Sequence, residues 1–118
     1  MPISGNYLFI VSMDVAADKE DLFNEVYDTE HVPLLSKVPG VVAVTRSKMV
    51  PLSMMLGGEK KTIVMEGEPV YQAIYEIDSP DVLMSDAWAK AGETGRWPTE
   101  VRPHTKNRRH VLRKVMKD

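Results

Sequence analysis

Three features of the chain predict an α+β domain in which a four-stranded antiparallel sheet carries two helices on one face. Four short segments are rich in β-branched and aromatic residues: Asn6 to Met13, Val41 to Val50, Val70 to Ile77 and Arg108 to Val115. One amphipathic run, from Asp18 to about Glu30, separates the first two. A second, opened by Ser79-Pro80-Asp81, separates the last two. The order is β-α-β, an irregular excursion, then β-α-β. With right-handed crossovers it closes into the ferredoxin-like βαββαβ arrangement. A chain of 118 residues is long enough for one core of this kind, so it reads as a single domain, 1–118, interrupted by an excursion at about 51–69.

The first strand, Asn-Tyr-Leu-Phe-Ile-Val-Ser-Met, is nearly continuously apolar and too short for a helix, so both of its faces should be covered. Asp18 suits the cap of the first helix, with Glu20 and Asp21 in its first turn. Late in that helix lies Tyr27-Asp28-Thr29-Glu30-His31-Val32-Pro33-Leu34. Pro33 has no amide hydrogen for the carbonyl of Thr29 and pushes Val32 toward extended geometry, so a break is expected near His31, with a short segment restarting at Pro33 and stopping before Pro39-Gly40. At about 100° per residue, Phe23, Tyr27, Leu34 and Val38 share one side. Glu30 and His31 fall on that same side, which places a carboxylate and an imidazole on the face expected to be buried.

In the second strand Arg46 and Lys48 should share a face with Val42 and Val44. The excursion from Pro51 to Pro69 is punctuated by Gly57-Gly58 and Gly67 between two apolar stretches. It reads as a hairpin or a long loop with a little strand, of the kind that covers a site or packs on a partner. The third strand alternates Tyr71, Ala73, Tyr75 and Ile77 against Val70, Gln72, Ile74 and Glu76. Leu83, Met84, Ala87, Trp88 and Ala91 form the stripe of the second helix, which can stop at Gly92 or Gly95. Arg96-Trp97-Pro98 opens a linker to about Thr105. The last strand puts His110 and Leu112 on one face, Val111 and Val115 on the other.

Two helices cover one face of a sheet, yet the strands carry apolar residues on both. A second copy of the sheet is the simplest cover, and a homodimer is expected. The net charge of -2 gives no global reason to expect nucleic acid. Seven of the 15 Lys and Arg nonetheless lie from Arg102 onward (Arg102, Lys106, Arg108, Arg109, Arg113, Lys114, Lys117), as a solvated basic strand or a cationic rim for an anionic ligand. The absence of cysteine excludes disulfides, thiol nucleophiles and thiolate metal sites. No apolar run approaches a membrane span, and the start lacks the pattern of a signal peptide; a cytoplasmic protein is expected.

The stretch Tyr27-Asp-Thr-Glu-His31-Val-Pro33-Leu-Leu, with Val38-Pro-Gly40 and a strand after it, resembles the first-helix signature of dimeric α+β barrel proteins. It is most similar to the EthD-like branch, whose members read roughly Tyr-Asp-x-x-His-x-Pro before a Val-Pro-Gly turn. The motif covers about Phe23 to Gly40, and the topology fits along most of the chain. The resemblance implies a homodimeric α+β barrel, two sheets face to face, with a pocket in each subunit between sheet and helices. It implies an active-site role for His31. The superfamily includes cofactor-free monooxygenases, isomerases, polyketide cyclases and haem-binding or haem-degrading proteins, so the fold does not choose the reaction. The excursion departs from the compact family pattern.

The expected catalytic group is His31, with Glu30 or Tyr75 as its partner and His110 as a further candidate. Adjacent helical positions diverge by about 100°, so a direct Glu30–His31 bond does not follow from the sequence. Tyr27, Arg46, Trp88 and His110 are expected to bind substrate: Trp88 as an aromatic wall, Arg46 as the holder of a carboxylate or phenolate unless it is a surface residue. Trp97 reads as edge packing and His104 as a loop histidine. The three histidines match no ligand spacing, and no metal is expected. No phosphate loop or nucleophile elbow is present, which leaves proton transfer as the available chemistry. Three functions are open. One is a cofactor-independent isomerase, cyclase, lyase or oxygenase acting on an aromatic, lactone or polyketide-like molecule. The others are a non-catalytic small-molecule-binding or stress-response dimer, and a haem-binding protein.

Overall fold

The computed structural model describes residues 3–116. Strands β1 (Tyr7–Val15), β2 (Val41–Lys48), β5 (Tyr71–Ile77) and β6 (Thr105–Lys114) form an antiparallel sheet in the order β2-β5-β1-β6. This is the ferredoxin-like order that the sequence predicts. Strands β3 (Leu52–Leu56) and β4 (Glu59–Ile63) pair only with each other, as a hairpin turned by Gly57-Gly58. Both glycines have positive φ, 59° and 81°, as a two-residue turn between twisted strands requires.

Alternation places Phe9, Val11 and Met13 of β1 and Tyr71, Ala73, Tyr75 and Ile77 of β5 against the helices. There they form the core with Phe23, Val26, Tyr27, Leu35, Val38, Trp97 and Val101. Across the opposite face runs the register row Thr45–Ile74–Ile10–Val111, one residue from each strand. The adjacent rows, Ala43–Glu76–Leu8–Arg113 and Ser47–Gln72–Ser12–Arg109, are more polar.

The helical run 20–36 does not break at Pro33. It passes from α1 (Glu20–Val26) through a π-helical turn at Tyr27–His31 into α2 (Val32–Ser36). His31 (φ -66°, ψ -50°) and Val32 (φ -63°, ψ -48°) keep helical backbone although Val32 precedes proline. The Val32 amide reaches back five residues to the carbonyl of Tyr27. The ladder absorbs the missing Pro33 donor by widening one turn instead of ending. The extra residue in that turn rotates all of α2 about the helix axis. Tyr27, His31, Leu35 and Val38 are buried, whereas Leu34, expected on that face, is only half-buried.

Other expectations are corrected in the same way. Asp18 lies inside a 3₁₀ turn (Ala17–Lys19) and does not cap α1, whose cap position is Lys19. The second helix divides at Ser85, where extended backbone separates a 3₁₀ turn (Pro80–Met84) from α3 (Asp86–Gly92). Ser79 Oγ accepts from the Asp81 amide and Ser85 Oγ from the Trp88 amide, each at 3.1 Å, so each piece has its own cap. Met84, expected on the stripe, is exposed. The expected linker after Arg96 is helical: a π turn at Trp97–Val101 and a 3₁₀ turn at Arg102–His104, which bury Trp97 and Val101. In β2 a bulge between Val41 and Ala43 sets Val42 apart, so Val44, Arg46 and Lys48 share the helix-facing side without it. Lys117 lies outside the described residues.

Candidate active site

Between the sheet and the 3₁₀ and π turns lies a cavity of about 400 Å³, within the range usual for small-molecule sites. Its walls are mostly aromatic and aliphatic: Phe9, Tyr27, Leu35, Tyr75, Trp88 and Trp97. Polar groups enter from His31, Glu93, Arg102, Arg108 and His110.

The π turn aims His31 inward. Its ring lies flat on the Trp97 indole, with centroids 4.4 Å apart and planes at 21°, and Tyr27 meets it edge-on at 5.1 Å. The His31 Nδ1 is buried without a hydrogen-bond partner. Nε2 also bonds no described protein group but is not sealed in, and the residue lines the cavity. Burial lowers the imidazole pKa to about 4, helped by Arg102 and opposed by Glu93. The ring is therefore neutral at pH 7 and offers a lone pair.

The Tyr27 and Tyr75 hydroxyls lie 3.4 Å apart beneath the cavity. Burial raises both pKa values, so both stay protonated and can donate. Trp88 stands edge-on to Phe9 and Tyr75, at 5.8 and 5.3 Å, as part of the wall. His110 stacks on Phe9 at 6.0 Å, and its pKa is lowered by burial and then by Arg108.

Two expected site residues point elsewhere. Glu30 does not line the cavity. Its Oε1 accepts from the Arg96 amide at 2.9 Å and its Oε2 from Arg96 Nε at 2.5 Å; these two bonds hold its pKa below the usual carboxylate range. The widened turn separates it from the face His31 occupies, and it clamps the backbone just before Trp97. Arg46 also stays out. Its guanidinium is held by Asp28 Oδ1 at 2.6 Å and Asn24 Oδ1 at 2.8 Å, above the outer side of the Tyr27 ring at 4.5 Å. His104 is exposed and outside the cavity.

Sequence reasoning does not single out four of the cavity residues on which the site depends: Glu93, Trp97, Arg102 and Arg108. The basic cluster is the only signal for the two arginines, and nothing local marks which of its members turn inward. Among the described residues, no group of three or more His, Asp or Glu side chains is gathered as for a metal.

No protein-family model matches the chain, and no curated protein does either. Solved structures do match. A mutant of MhuD with two manganese protoporphyrin IX molecules bound per active site superposes with a TM-score of 0.64 at 14% identity, over 95% of this chain and 96% of that one. The haem-degrader MhuD from Mycobacterium tuberculosis, with two haems bound in its active site, gives 0.59 at 16% identity, over 95% and 97%. An ethyl tert-butyl ether D (EthD) family protein from Bacillus halodurans C-125 gives 0.58 at 16% identity, over 93% and 99%. The chain shares its ferredoxin-like α+β fold with these structures. At these identities the likeness extends to the fold, which hosts unrelated chemistries. Among the described residues no helix is long and apolar enough to cross a membrane.

Proposed function

We propose that this protein is a small enzyme that needs no cofactor and uses the His31 imidazole to move a proton on an aromatic, phenolic, lactone or polyketide-like substrate. The observation that carries this reading is the pairing, in one apolar cavity, of a neutral imidazole with two hydroxyls held protonated. Removing a proton from a phenol, or from carbon beside a carbonyl, leaves an oxyanion. Tyr75, with Tyr27 behind it, is the donor for that oxyanion, and Trp88 and Phe9 flank a flat ring. An imidazole with a pKa near 4 is a weak base in the free protein. A substrate anion beside it raises its proton affinity, so basicity arrives with the substrate. Isomerisation, cyclisation, lyase chemistry, and oxygenation of a phenolate by dioxygen all begin with this step.

The reading includes a homodimer closed through the uncovered sheet faces. Its support is the apolar row Ile74–Ile10–Val111 at the centre of that face, flanked by more polar rows. The isolated hairpin, with Leu52, Met54, Met55 and Leu56 exposed, adds apolar surface that one copy does not cover.

The test is a thermal-shift screen of phenols, lactones and acyl thioesters, then turnover assays with the stabilising compound. His31→Ala should abolish turnover and leave the oligomer intact; an unchanged rate would remove His31 from the mechanism.

A second reading, haem binding, is favoured by one observation of its own. A neutral imidazole with an unbonded Nε2, on a residue lining an aromatic cavity, is in the right protonation state to hold a haem iron, and both MhuD structures hold porphyrins. His31 would hold the iron and Trp88 and Phe9 would flank the ring; bound haem would supply redox and oxygen chemistry. Titration with haemin should then give a Soret band that His31→Ala shifts or removes, and no band would end this reading.

A further inference from the structure

We infer that the cavity takes a monoanion: a flat apolar body bearing one carboxylate-like group, which pairs with Arg108. The inference rests on the cavity being the working site, as proposed above.

The reason is a balance of charge. Five ionisable groups other than the tyrosines line the cavity: His31, Glu93, Arg102, Arg108 and His110. Glu93 and Arg102 neutralise each other through two parallel bonds, Nη1 to Oε1 at 3.0 Å and Nη2 to Oε2, while Nη2 also donates to the Gly92 carbonyl. Both histidines have pKa values pushed below 6.5 and are neutral at pH 7. Arg108 alone is left uncompensated, with no hydrogen bond or ion pair from its side chain to any described residue. The neighbouring Arg109 is by contrast satisfied, donating to Glu68 at 2.9 Å and to the Gly67 carbonyl at 3.2 Å.

A backbone irregularity makes this division. At its start β6 pairs Val15 with Thr105 and Asp14 with Lys106. Continued without change, that register would set Arg109 opposite Val11 on the cavity side. A bulge intervenes, and Val11 pairs with His110 instead. Asn107 takes a left-handed conformation (φ 53°), with Nδ2 donating to Asp14 Oδ2 at 3.1 Å and to the Gly67 carbonyl at 2.8 Å. The extra residue brings Arg108 and His110 onto the cavity side and sends Arg109 to the other. A fixed side-chain pair thus turns a free guanidinium toward an apolar hollow. A guanidinium binds a carboxylate through two parallel bonds, and the apolar walls strengthen that attraction relative to open water.

The test uses two probes of one shape, 2-naphthoate and 2-naphthamide, titrated into the full chain while the ring signals of His31 and Trp97 are monitored by NMR. The native protein should bind the anion about tenfold more tightly than the amide, the factor expected of a charge-assisted hydrogen bond at a partly open site. Arg108→Gln should bring the two within about twofold by weakening the anion alone, and Arg109→Gln should leave the preference unchanged. Equal binding of both probes to the native protein, or a preference that survives Arg108→Gln, overturns the inference but leaves the cavity as a site. Failure of both probes to move either ring overturns the cavity reading and this inference with it.

Discussion

The His31 imidazole lies on the Trp97 indole at 4.4 Å, although 66 residues of chain separate them. Trp97 is therefore both wall and platform: it covers one face of the ring and lines the cavity beside it. Trp97 is 3% exposed, and Trp97→Ala should destabilise the protein by about 3–5 kcal/mol in urea unfolding, as for other large core deletions. A loss below about 1 kcal/mol would mean that the platform is not packed as described.

The buried neutral ring also links stability to acid. Above pH 6.5 the folded and unfolded chains both hold it neutral; between 6.5 and about 4 the unfolded chain binds a proton that the folded chain refuses. Its contribution is thus present in full above pH 6.5, declines as pH falls through that window, and levels off below it. The slope from this group is at most about 1.4 kcal/mol per pH unit. Subtracting the pH profile of His31→Leu from that of the native protein isolates it; a flat difference would show that the ring ionises freely.

His31→Leu should leave stability at neutral pH unchanged or improved, because it removes a buried Nδ1 that has no partner. Any ligand interaction at Nε2 should disappear at the same time. A large loss of stability would instead assign His31 a structural hydrogen bond.

Glu30 bonds the Arg96 backbone and side chain just before Trp97, and on the proposed reading it acts on the cavity as a positioning residue. Glu30→Ala should lower the melting temperature less than Trp97→Ala does, and should weaken ligand binding without changing the pH dependence assigned to His31. Gly95→Ala should do the same by another route, since a Cβ there would lie 2.7 Å from Glu30 Oε1 and the glycine has φ of 81°. An altered pH profile in Glu30→Ala would place its carboxylate in contact with the imidazole.

The uncovered sheet face makes a separate prediction. Ile10→Glu, at the centre of the row shared with Ile74 and Val111, should convert a sedimenting dimer into monomer while the circular dichroism spectrum is kept. If the native protein sediments as a monomer, the two-sheet closure does not occur.

The elements and their order were legible along the chain because they rest on local periods. A short continuous apolar run marked β1, alternation marked β5 and β6, Gly57-Gly58 marked the hairpin, and the stripe from Phe23 to Tyr27 marked the first helix. The inward turn of Tyr75, Trp88 and His110 could be read for the same reason. Phase could not be read, because one inserted residue changes it and the groups that hold the insertion come from far away. Pro33 announced a disturbance, but only packing decided that the helix would widen rather than stop, burying Leu35 in place of Leu34 and parting Glu30 from His31. The bulge that chooses Arg108 over Arg109 depends on Asp14 and Gly67, 93 and 40 residues from Asn107. Periodicity is a property of neighbours in sequence; which side chain finally faces the cavity is set by hydrogen bonds that exist only once the sheet has formed.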